Sequence, residues 1–127
     1  MNTLCQRVNF LLALALAATM LIGCQAGPKA DQAVYHTHGE LEALLSADVA
    51  RTHAAVLQAL PDLRLDVLDS GLNADSGFVT TRSATGDTIR IKMVRLEDAL
   101  TRVSIRVGAF GNEAYSREIL HRIRQRL

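Results

Sequence analysis

Thr88-Ile-Arg-Ile-Lys-Met-Val94 and Thr101-Arg-Val-Ser-Ile-Arg-Val107 are the two stretches on which the fold turns. In the first, Ile89, Ile91 and Met93 alternate with Arg90 and Lys92; in the second, Val103, Ile105 and Val107 alternate with Arg102, Ser104 and Arg106. Side chains on a strand point to opposite faces in turn, so each run predicts a strand with one apolar and one polar face. The short link between them, with the reversal at Glu97-Asp98, implies an antiparallel hairpin. Working back toward the N-terminus, period two also begins after Leu63, where Leu65 and Val67 flank Asp66. Turn formers crowd Gly71 to Gly77, a further strand runs from Gly77 to Ser83, and Ser83-Ala-Thr-Gly-Asp87 makes the next turn.

Helices flank this block on both sides. Ser46-Ala-Asp48 supplies N-cap oxygens for a helix of about 12 residues in which Val49, Thr52, His53, Val56, Leu57 and Leu60 recur at helical spacing. Pro61-Asp62 stops it. Asn112 caps a second helix, and Glu113 suits the positive end of its dipole. Its stripe is Tyr115, Ile119, Leu120, Ile123 and Leu127, with Arg117, Arg122, Arg124 and Arg126 off it. Gly39 to Leu45 alternates weakly and fits either a half-buried strand or the start of a helix. Two amphipathic helices and a sheet polar on one side cover each other by packing both helices on the sheet's apolar face. The expectation is an α+β two-layer sandwich with an antiparallel sheet of four to five strands, in the order β-α-β-β-β-β-α. In the Gly108 to Asn112 turn, the glycines serve positive backbone angles and give Phe110 room to tuck under the sheet.

The N-terminus has a different logic. Met1 to Asn9 is short and polar with Arg7, Phe10 to Ile22 is apolar except for Thr19, and the small Gly23 precedes Cys24. This is the order of a secretory signal, and the run is too short for the roughly 20 apolar residues of a membrane-spanning helix. Cleavage before Cys24 takes 23 of the 127 residues and leaves 104, enough for one domain. It also removes Cys5, so the mature chain keeps one cysteine, which no disulfide or zinc spacing can use. Loss of Arg7 leaves 13 basic residues against 13 acidic, a balance that argues against a nucleic-acid binder.

Leu21-Ile22-Gly23-Cys24 resembles the lipobox of bacterial lipoproteins. The resemblance implies a signal peptide over 1–23, a lipid on the Cys24 sulfur and an acyl chain, such as palmitate, on its amine. Two or more chains hold a protein stably to a bilayer where one does not. Gln25 stands where aspartate would favour inner-membrane retention, which points to the periplasmic face of the outer membrane. Residues 24–37, with Gly27, Pro28 and no sustained period, then read as the lipidated cysteine and a flexible tether, spanning roughly 20 Å. Residues 38–127 are the folded domain. A second resemblance lies in Thr101-Arg-Val-Ser-Ile-Arg-Val-Gly-Ala-Phe-Gly-Asn-Glu113 with Ser116 behind it. It is similar to the signature of a family of small proteobacterial lipoproteins known only as a domain of unknown function, in which aspartate usually stands where Asn112 does. The family implies no established activity.

Candidate sites are few. Arg90, Lys92, Arg102 and Arg106 share the uncovered sheet face if the strands are half buried, and such a patch suits phosphates of phospholipid or lipopolysaccharide, or an acidic partner. Equally, charges there blunt a solvated sheet against aggregation. Gly111 and Asn112 begin a helix, where backbone amides can hold an anion. His36-Thr-His38 and His53 raise the question of a metal, but with no cysteine to assist they read as solvated histidines. No metal or cofactor is expected. G-x-S-x-G, phosphate-binding glycine runs and His-Glu-x-x-His are all missing from the sequence. Glu97-Asp98 are turn residues rather than an acid/base pair. With no tryptophan and few aromatics, stacking on sugars or bases is poorly served. The reading is therefore not an enzyme but a membrane-anchored cell-envelope protein, a structural or protein-interaction module with an envelope protein as partner. The alternative is a periplasmic binding domain for an anionic envelope ligand.

Overall fold

The computed structural model describes residues 32–127. The signal peptide, Cys24 and the first part of the tether lie outside the described residues. Six strands and two helices follow in chain order: β1 (Ala33–Tyr35), β2 (Glu40–Leu45), α1 (Val49–Ala59), β3 (Asp66–Leu72), β4 (Ser76–Arg82), β5 (Thr88–Glu97), β6 (Leu100–Val107) and α2 (Glu113–Arg126). They form one antiparallel sheet in the order β1-β2-β6-β5-β4-β3. The fold is α+β, as the period-two and period-3.6 runs require.

Two expectations change. The sheet has six strands rather than four to five, and the additional one is β1, inside the stretch read as tether. Ala33, Val34 and Tyr35 pair with Ala43, Glu42 and Leu41, so part of the stretch read as tether is strand. Three residues are too few to display a period; their strand character comes from the free edge that β2 offers. The Gly39 to Leu45 stretch, which fits helix or strand by sequence, forms β2 from Glu40 onward, with Leu41, Ala43 and Leu45 buried.

The alternation in β5 and β6 fills the core. Ile89, Ile91, Met93, Val103, Ile105 and Val107 are buried, and the helices close over them with Val56, Ala59 and Leu60 from the first and Ile119, Leu120 and Ile123 from the second. α1 lies over β4 and β5, α2 over β2 and β6, and the helices pack on each other. Two of the threonines caught in the core are bonded to backbone: Thr101 Oγ1 donates to the Ala47 carbonyl at 2.8 Å and Thr81 Oγ1 to that of Asp66 at 2.5 Å.

Helix ends follow local chemistry. Asp48 Oδ1 accepts from the Arg51 amide at 2.7 Å, and Asn112 Oδ1 from the Tyr115 amide at 3.0 Å. After α1, Pro61–Leu63 make one 3-10 turn and Arg64, at φ 54°, redirects the chain. The β3–β4 reversal is shorter than the Gly71 to Gly77 expected. Asn73 Oδ1 accepts from the amides of Asp75 and Ser76, so Gly71 and Leu72 stay in the strand. Gly71 faces Phe78 across the ladder, and the Phe78 ring fills the space a side chain there would take.

Candidate cationic face and turn

Register decides which cations meet. Arg106 on β6 stands between Glu40 on β2 and Arg90 on β5. Ser104 stands between Glu42 and Lys92, and Arg102 between Leu44 and Val94. All these positions alternate with buried ones, so they share the face away from the helices. The structure thus puts Arg90, Lys92, Arg102 and Arg106 on one side of the sheet. It does not gather all four. Arg90, Lys92 and Arg106 line a depression of about 240 Å³ with Glu40 and Ala109. Arg102 belongs to a separate hollow of about 390 Å³ with Val34, His36, Glu42, Leu44 and Leu96.

The depression is electrostatically unbalanced. Arg90 and Arg106 are directly opposed, and like charges across a ladder destabilise it. Among the described residues no carboxylate comes within 4.0 Å ion-pair distance of Arg90, Lys92 or Arg106. Glu40 turns toward His38 instead, 3.3 Å from its Nε2. Arg106 is oriented by its own turn, its Nη2 donating to the Ala109 carbonyl at 2.6 Å.

That turn overturns one expectation. Phe110 does not tuck under the sheet: it is 93% exposed. Gly39 (φ 86°) and Gly111 (φ 84°) meet backbone to backbone, and a Cβ on Gly39 would strike the Phe110 carbonyl. A Cβ on Gly111 would lie 2.5 Å from both the Gly39 Cα and the Tyr35 hydroxyl oxygen. The carbonyl of Phe110 is therefore held inward against Gly39, and its ring goes outward. Gly111 and Asn112 do not line the depression. Asn112 spends its side chain on the cap and its carbonyl on the Ser116 amide, and Gly111 has a packing reason to be glycine.

The histidines divide. His36 and His38 stack with centroids 5.2 Å apart and stand near Glu42 and Glu40, whereas His53 sits on α1 near Gly77. Among the described residues no group of three or more histidine, cysteine or acidic side chains is arranged to hold a metal. Tyr115, away from the depression on α2, has its phenol pKa pushed up by burial.

Sequence reasoning missed Phe110 and the apolar flanks of the cationic face, Phe78, Val94 and Leu96, all exposed. The flanking glycines at 108 and 111 hinted at an unusual turn, but their spatial partner, Gly39, is far away in sequence.

These features define a small α+β domain: a six-stranded antiparallel sheet, two helices on one face, and cations with apolar flanks on the other. The chain belongs to the family described as "Protein of unknown function (DUF3568)", whose model matches residues 7–126. The match thus takes in the whole apolar N-terminal run as well as the folded domain. Among curated proteins none matches the chain.

Proposed function

We propose that the chain is a lipoprotein of the bacterial cell envelope, cut before Cys24 and acylated there. Its domain would act, without catalysis, as a structural or protein-interaction module on the periplasmic face of the outer membrane. The observation that carries the anchor is the apolar run ending in Leu21-Ile22-Gly23-Cys24. The sheet face turned away from the helices, with Phe78, Val94 and Leu96 exposed, supports a module that meets a partner. Labelling cells with palmitate tests the anchor: label should enter the wild-type protein and not Cys24→Ser. Unlabelled wild type, or a protein retaining residues 1–23, would refute it. Crosslinking the lipidated protein in cells then identifies what it touches.

A second reading is favoured by the depression between Arg90, Lys92 and Arg106: the domain itself binds an anionic envelope ligand, a phospholipid or lipopolysaccharide phosphate.

A further inference from the structure

Phe110 and the cationic depression are one surface. Ala109 adjoins Phe110 in the chain, lines the depression, and accepts the Arg106 hydrogen bond. An aromatic ring thus projects beside three cations that lack carboxylate partners among the described residues. The turn that carries the ring is closely packed, the backbone of Gly111 lying against that of Gly39. We infer that this surface docks the domain on an anionic bilayer. Phe110 enters the headgroup region, and Arg90, Lys92 and Arg106 meet lipid phosphates.

The inference rests on the second reading above and narrows it to lipid in a membrane. Free phosphate would use the cations and leave the ring in water. A bilayer uses both: apolar side chains gain by entering the interface, and cations are drawn to anionic headgroups. Reach is adequate. Cys24 and Ala33 are nine Cα steps apart, at most roughly 30 Å of chain. A domain acylated at Cys24 would therefore stay close to its own leaflet, and docking would be an intramolecular event.

The test uses the full chain carrying Cys24→Ser and Phe110→Trp. The natural sequence has no tryptophan, so emission reports position 110 alone. The exposed ring can be exchanged without touching the core. Vesicles of phosphatidylglycerol should shift the emission to the blue, and bromine-labelled lipid should quench it. Partitioning should fall roughly fivefold for each of Arg90→Gln and Lys92→Gln, and fall with added salt. Phosphatidylcholine vesicles control for apolar partitioning of the N-terminal run, and the Arg90→Gln and Lys92→Gln variants, which keep Arg7, control for its charge. Unchanged emission with phosphatidylglycerol, or an equal shift with phosphatidylcholine, overturns the inference. A shift produced by inorganic phosphate without vesicles also overturns it, assigning the depression to a free anion. Because Cys24 is replaced, this outcome and the palmitate result can each fail alone.

Discussion

Gly111→Ala isolates the contact that turns Phe110 outward. Gly111 has φ 84°, where a side chain is strained, and its new Cβ would lie 2.5 Å from the Gly39 Cα and the Tyr35 hydroxyl oxygen. The left-handed conformation costs about 1–2 kcal/mol for alanine, and forcing an atom into a filled site about 1–3 kcal/mol more. Reduced freedom of the unfolded chain returns about 0.4–1 kcal/mol, so the net loss is about 3 kcal/mol. For a domain of this size that lowers Tm by roughly 10–20 °C. Gly86→Ala is the matched control: φ is 92°, yet nothing lies within 4 Å of the added Cβ. It carries the strain without the collision, so its Tm should fall by roughly 5 °C or less. Thermal unfolding followed by far-ultraviolet circular dichroism, with reversibility checked, measures both. If the two variants melt within about 3 °C of each other, the Gly39–Gly111 contact is not rigid. The outward ring of Phe110 would then have lost its physical cause.

Other outcomes follow from single side chains. Asn112→Ala should lose about 1 kcal/mol by removing the cap on the Tyr115 amide; Asn112→Asp should lose nothing, which urea unfolding will read. Arg90→Gln should raise stability by about 0.5 kcal/mol through relief of its opposition to Arg106; a lower urea midpoint would contradict that. Tyr115 has its pKa raised above 10.0 by burial, so above about pH 10 the unfolded chain gives up this proton more readily than the folded one. Stability should therefore be intact below pH 10 and decline as pH rises through the folded value. Tyr115→Phe should flatten that decline in melts between pH 9 and about pH 11.

Much of the fold was legible because its signals are local. β5 and β6 announce themselves by strict alternation, and nearly every inward position of the two runs is buried. Asp48 and Asn112 are caps because their side chains reach amides three residues on. β1 was not legible: Ala33-Val34-Tyr35 has no pattern of its own and becomes a strand by pairing with β2. The cationic site was half legible. Alternation puts four cations on one face, but register joins Arg90, Lys92 and Arg106 and leaves Arg102 in the neighbouring hollow.

The amino-acid sequence by itself determined the fold class, the helix ends and the marks of an N-terminal signal, since each is written in residues at most a few positions apart. Tertiary structure alone decided that a sixth strand closes the sheet edge, which cations share a depression, and that Phe110 faces solvent. Each of those depends on atoms brought together across strands or, for Gly39 and Gly111, across most of the folded chain. No periodicity encodes a meeting that only packing creates.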